Sequence, residues 1–258
     1  MASPRRALLT PELLELMLLR LDLQTLLISP QLICRAWSAL IRESSAIQRM
    51  LFFEPAQDSE KRRNSLLIDA FPSFFNEGTT LTLSELGMIK HPAKTAAYTH
   101  KEASWRRMLV QQPPVVEFPF LRSHQTRRAG GLMQPANGRA LQPGQDLRMQ
   151  TLFEWLLWTP HVSFKSIGAN RIFWGAAPPA LVPMRDPRLT LALERVNIHF
   201  DLIIVSRYSV GRMRKNEMTD DAVARAQIHA MYESSVIPCE MIDATEGLLV
   251  DSSDRFGS

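Results

Sequence analysis

Cysteine is scarce, with two residues in a chain of 258. Two thiols cannot build a disulfide framework or a four-thiolate zinc site, so a reducing compartment is expected, cytoplasmic or nuclear. Long apolar runs are missing too. None approaches the roughly twenty residues of a bilayer span, which argues against a membrane protein. A large net charge is also absent. Lys plus Arg number 30 against 26 Asp plus Glu, a balance of +4 that is too weak alone to argue nucleic acid. No glycine-rich phosphate loop stands out, because Gly130-Gly131 lacks the Lys-Ser/Thr ending and the strand-to-helix context such a loop needs. The histidines (His91, His100, His124, His161, His199, His229) form no His-x-His or His-Glu-x-x-His pattern, so neither metal nor cofactor is expected. Cys239 has no histidine partner and reads as a small buried hydrophobe. The paired acids Asp220-Asp221 are explained by the dipole of a helix start. No positive feature supports an enzyme.

What is present is an ordinary globular composition, 45% hydrophobic and 22% charged. That excludes a wholly disordered chain and suits one large or two small domains. Arg5 and Arg6 precede a leucine-rich stretch, but Pro11, Glu12, Glu15 and Arg20 interrupt it, so it is expected in the mature fold. Residues 9–53 form a leucine-dense helical block within an expected first domain of 1–53, with helices expected near 11–20, 23–28 and 31–43. Thr10-Pro11, Asp22 and Ser29-Pro30 supply the starts. Residues 54–64, ending in Lys61-Arg62-Arg63, read as a linker. The remainder, 65–258, is expected to be α+β. It has helical stretches at 65–75 and 102–111 and an irregular Pro/Gly-rich loop at 111–146. A helix is expected at 147–158, strands at 161–167, 171–175, 189–199 and 201–210, and a helix from Thr219-Asp220-Asp221 to about 233. No repeat of twenty to fifty residues is visible.

The block carries more apolar surface than it can hide. At about 100° per residue, Leu13, Leu14, Met17, Leu18 and Leu21 share one core-facing arc, while Leu16 and Leu19 fall opposite, among Glu12, Glu15 and Arg20. In the third helix, Leu32, Ile33, Cys34, Ala36, Trp37, Leu40 and Ile41 cover over half the circumference. A core of some 45 residues is marginal alone, so either the rest of the chain or another protein must cover these faces.

The order of these residues decides between the two. The stretch Leu9-Thr10-Pro11-Glu12-Leu13-Leu14-Glu15-Leu16-Met17-Leu18-Leu19-Arg20-Leu21 resembles the first helix of the F-box. Leu26-Leu27-Ile28-Ser29-Pro30-Gln31-Leu32-Ile33-Cys34-Arg35-Ala36-Trp37-Ser38-Ala39-Leu40-Ile41 resembles its second half. Thr10 stands where the family commonly has Leu, and Leu21-Asp22 and Thr25 replace its usual Leu-Pro and acidic residue. Further on, Ala70-Phe71-Pro72-Ser73-Phe74-Phe75 and the stretch from Ala103-Ser104-Trp105 to Pro113-Pro114 are similar to segments of fungal F-box proteins.

The resemblance implies a three-helix F-box and a non-catalytic adaptor. Such a protein docks on a Skp-family protein, through it on a cullin–RING ubiquitin ligase, and presents an unknown protein substrate. It would act by proximity and make no bonds itself. Carried over by position, Pro11, Leu14, Leu18, Leu26, Leu27, Cys34, Trp37 and Leu40 would meet the Skp partner. Internal packing is the simpler account for Cys34 and Leu18, while Pro11 and Trp37 lean towards the interface. An adaptor working with its Skp partner outside any ligase is a variant of this reading.

The competing reading is a nucleic-acid-associated basic protein with a self-contained helical core. It would use Lys61-Arg62-Arg63, Arg106-Arg107 with Trp105, Arg127-Arg128, or Arg212/Arg214/Lys215. The 26 acids weigh against it, and a solvated surface is the favoured account of those clusters. Arg127-Arg128 or Arg212/Arg214/Lys215 could instead receive an acidic or phosphorylated segment. Phe153, Trp155, Trp158, Phe164, Phe173 and Trp174 are expected in the C-terminal core.

Overall fold

Capping chemistry sets the element boundaries in the computed structural model of the protein, which describes residues 10–56, 60–76, 79–125, 132–140, 145–158, 167–175, 200–209 and 220–234. Helix α1 (Pro11–Leu18) opens on a proline whose missing N–H costs nothing there. Helix α2 (Leu23–Ile33) is capped by Asp22, which accepts from the Thr25 N–H at 2.8 Å. Hydrogen bonds from the Thr25 side chain and backbone hold the Asp22 carboxyl below its ordinary value. Ser29-Pro30 lies inside α2 and does not start a third helix. An internal proline forgoes one hydrogen bond without ending the helix, and the break falls instead at Cys34, whose backbone is extended (φ −160°, ψ 165°). Helix α3 (Arg35–Glu43) follows. Ser44 then caps α4 (Ser45–Met50) by accepting from the Ile47 N–H at 3.1 Å, while its hydroxyl donates to the Glu15 carboxylate.

The end of α4 is a Schellman turn. Phe53 N–H donates to Gln48 O at 2.8 Å and Phe52 N–H to Arg49 O at 3.1 Å, which places Phe52 at the left-handed position (φ 62°). Glycine usually stands there. A non-glycine residue costs about 1–2 kcal/mol in this conformation, and Phe52 offsets it by burying its ring at 2% exposure.

The described residues fall into two compact units, within Met1–Ala70, Ser104–Val115 and Asp146–Gln150 for the first, and within Phe71–Ala103, Val116–Gln145 and Thr151–Ser258 for the second. The first unit is therefore discontinuous in sequence. Where a linker was expected, β1 (Arg62–Arg63) pairs antiparallel with β2 (Gln111–Gln112). Helix α5 (Ser65–Ala70) is capped by the fully buried Asn64, whose Oδ1 accepts from the N–H groups of Leu66 (3.1 Å) and Leu67 (3.4 Å). The Asn64 amide donates to Leu109 O at 3.0 Å. Gln112, equally buried, donates to Arg49 O (2.7 Å) and Glu54 O (3.0 Å) and accepts from the Arg62 guanidinium. Leu109 N–H reaches Phe52 O at 2.7 Å, and Arg148 donates to Phe53 O and Arg107 O. Buried amides matched to loop carbonyls thus fasten the helical block to segments fifty and a hundred residues away.

The second unit holds a mixed sheet of order β4-β3-β6-β5. Strand β3 (Glu117–Gln125) runs antiparallel to β4 (Leu132–Ala140) and parallel to β6 (Leu202–Ser209), which pairs antiparallel with β5 (Ile167–Trp174). The irregular loop expected at 111–146 therefore contains β2, β3 and β4. Its prolines sit where a sheet accepts them, Pro119 at a register shift between Phe118 and Phe120 and Pro135 on the edge strand β4. The strand expected at 189–199, and 161–166 of another, lie outside the described residues.

Helices α6 (Met149–Trp158) and α7 (Asp220–Ser234) fall close to their expected spans. The aromatic core joins Phe71 to Phe74, Tyr98 and Phe153, with ring centroids 5.7–6.0 Å apart. Phe153 stacks in turn on Phe74 (5.6 Å) and Tyr232 (6.2 Å). Trp174 stacks on Phe75 at 5.1 Å and donates to Phe74 O at 2.9 Å. Asp221 does more than open α7, since its carboxylate accepts from the N–H groups of Leu83 (3.0 Å) and Ser84 (3.3 Å). Arg225 donates to Leu156 O and Leu157 O near the end of α6, where cations are favoured. Helices and a real sheet coexist, so the fold is α+β.

Candidate functional site

The first unit contains the candidate partner surface. Its core cluster is Leu14, Leu18, Leu26, Ile41, Ile47 and Leu51, against which Leu19, Leu21, Leu23, Leu27, Trp37, Leu40, Met50, Phe53 and Leu66 pack. Each fully buried leucine contributes about 1.5–3 kcal/mol. Of the eight residues expected to meet a partner, Leu14, Leu18 and Leu26 are at most 4% exposed and are engaged inside the unit. Leu27, Trp37 and Leu40 are half-buried, packing on the cluster while keeping part of their surface outside. Pro11 and Cys34 are exposed, Cys34 in the extended joint between α2 and α3.

Helix α1 is rolled away from the orientation its periodicity suggests. Leu13 (47% exposed) and Met17 (51%) leave the core-facing arc, and Leu19 enters it. Glu15, which lies between Leu18 and Leu19 around the helix, accepts a hydrogen bond from Ser44 on this inward side. With Leu14, Leu18, Glu15 and Leu19 turned in, the opposite arc presents Leu16 (61% exposed), Leu13 and Met17 within roughly 100° of one another. Ile28 on α2 adds a fourth exposed large apolar side chain at 53%. Sequence reasoning gave Leu13 and Met17 to the core. The missing signal was a contact spanning 29 positions, which no local periodicity carries.

The basic clusters are in part accounted for by internal contacts. Arg62 lies over the Phe52 ring (5.0 Å), Arg106 over Trp105 (4.7 Å) and Arg107 over Phe53 (5.0 Å). Arg127-Arg128, Arg212/Arg214/Lys215, Cys239, Gly130-Gly131, His161, His199 and Phe164 lie outside the described residues, as does the side chain of Trp158. Phe153, Trp155, Phe173 and Trp174 are buried in the second unit. Among the described residues, no three His, Cys, Asp or Glu side chains gather where a metal ion could be held, and no helix is long and apolar enough to cross a membrane. No family model matches the chain, and neither a curated protein nor a solved structure matches it.

Proposed function

We propose that this protein is an F-box-type adaptor that docks on a Skp-family protein through its N-terminal helices and recruits a protein substrate to a cullin–RING ubiquitin ligase. The observation that carries the reading is the exposed stripe Leu13, Leu16 and Met17 on α1, with Ile28 on α2, in the segment that resembles the F-box. Three large apolar side chains grouped on one face of a helix form a patch of the kind that marks interaction sites. The docking face on this reading is that stripe together with Pro11, Leu27, Cys34, Trp37 and Leu40. Leu14, Leu18 and Leu26 support it from beneath. The chemistry belongs to the ligase, and the adaptor supplies proximity.

Co-expression with a Skp-family adaptor and capture of the pair tests this. The Leu13→Asp/Leu16→Asp variant alters exposed positions and should keep the wild-type melting temperature while capture falls at least tenfold. Leu14→Asp is the wrong probe, since it places a charge in the core and reports folding instead. A well-folded wild type that ignores the adaptor would reject the proposal.

A further inference from the structure

The described methionines divide sharply between core and surface. Met88 and Met149 are fully buried, Met108 is 1% exposed, and Met50 and Met231 are half-buried. Met17 stands apart at 51% exposure. It shares the outward arc of α1 with Leu13, one turn back and about 40° round the helix, and with Leu16. Leucine forms helices as well as methionine does, and Met17 lies outside the core cluster of its unit. Neither helix formation nor packing within the unit therefore requires sulfur at this position.

What sulfur adds is a reactive lone pair. Hydrogen peroxide gives one oxygen to the thioether: an S–O bond forms, the O–O bond breaks, and the remaining hydroxyl takes up the proton and leaves as water. Sulfur is oxidised by two electrons and the peroxide is reduced. Reaction follows exposure, so Met88, Met108 and Met149 are shielded while Met17 is open. The product is a polar sulfoxide whose oxygen is a strong acceptor. In water that oxygen is solvated at no cost. Under an apolar partner surface it would be buried beside Leu13 and Leu16 without a donor. Oxidation there leaves the core of the unit untouched and changes only what the stripe can be pressed against.

We infer that Met17 is an oxidation site that switches the docking face. As the thioether it lets the stripe of Leu13, Leu16 and Met17 seat on a partner, and as the sulfoxide it blocks that contact. A sulfoxide reductase with a thiol reductant returns the thioether. A docked partner covers the sulfur, so the switch acts on the free chain. The inference rests on the adaptor reading, since it needs a partner on that face.

Limited treatment of the full chain with hydrogen peroxide, followed by peptide mapping and capture by a Skp-family protein, tests it. Met17 should be oxidised at least tenfold faster than Met88, Met108 and Met149. Capture should fall at least tenfold while the melting temperature holds. Methionine sulfoxide reductase with dithiothreitol should restore capture. Recovery under dithiothreitol alone, which reduces oxidised thiols but not sulfoxides, would place the switch on a thiol such as the exposed Cys34 and overturn the proposal. Met17→Leu, compared before and after peroxide, should change less than twofold, and a loss as large as that of the wild type overturns it. So does oxidation of Met17 no faster than that of the buried methionines. Skp-family protein added before the peroxide should slow Met17 oxidation at least tenfold. A folded, untreated wild type that is not captured rejects the adaptor reading and this inference with it. Undiminished capture of a chain mapped as the Met17 sulfoxide rejects the switch alone.

Discussion

The two units solve the same problem with different chemistry. The first has an aliphatic helical core, and its separate segments are fastened by buried amides, Asn64 to Leu109 O and Gln112 to the carbonyls of Arg49 and Glu54. The second is assembled around stacked rings, with Phe71, Phe74, Tyr98, Phe153 and Tyr232 in one chain of contacts. The rings bury much apolar area and meet in the edge-to-face and stacked arrangements that aromatic quadrupoles favour. Amide fastening is directional, because a missing partner leaves a buried carbonyl unmatched. A helical unit closed in that way can leave α1 with apolar side chains pointing outward, because its integrity does not depend on burying them.

Removing the hub ring of the second unit tests that contrast most severely. Phe153→Ala deletes contacts to Phe71, Phe74 and Tyr232 together and should cost about 3–5 kcal/mol, measured by urea denaturation followed by circular dichroism. A loss under 1 kcal/mol would show that the stack does not hold this unit. In the first unit, Gln112→Ala should cost about 2–4 kcal/mol although it removes little apolar area, because Arg49 O and Glu54 O lose a shared donor. If that substitution were neutral, amide fastening would not be the organising feature. Phe52→Gly relaxes the left-handed backbone by about 1–2 kcal/mol but removes a buried ring, so a net loss of about 2–3 kcal/mol is expected. Net stabilisation would mean that strain, and not burial, dominates at this turn.

What could be read from the sequence follows the range of the forces involved. Helix α7 was visible because its first-turn acids are local, and β6 because its apolar run Leu202–Val205 is contiguous. Strands β3 and β4 were hidden by Pro119 and Pro135. A proline excludes a regular central position but is admitted at a register shift or an edge, and only the sheet order tells these apart. The discontinuous first unit was invisible for a related reason, since Arg62 and Gln112 meet across fifty positions. Three of the eight residues expected at the partner surface, Leu14, Leu18 and Leu26, are buried inside the unit. The buried state of Leu14 and Leu18 and the exposure of Leu13 and Met17 differ by one roll of α1, on whose inward side Glu15 meets Ser44, 29 positions away.

Smaller effects refine the comparison. Ser44→Ala removes the cap of α4 and the anchor of Glu15, so about 1–2 kcal/mol should be lost in the first unit. The informative readout is the accessibility of Leu19 and Leu16, which should become more alike if Glu15 sets the roll. In the second unit the weakest expected effect belongs to His229 on α7. Burial lowers its pKa most, the positive charge of Arg225 lowers it further, and Glu233 opposes them in part. The folded protein therefore holds His229 neutral below its ordinary value of 6.5, while the unfolded chain takes up a proton there. Stability supplied by the neutral ring is complete above that value and declines as pH falls from it towards the lower folded pKa. His229→Gln should flatten the dependence of urea midpoint on pH between about 7.5 and 5.5. An unchanged slope would place the acid sensitivity of this unit on another group, and a steeper one would mean that Glu233, not burial, governs the ring.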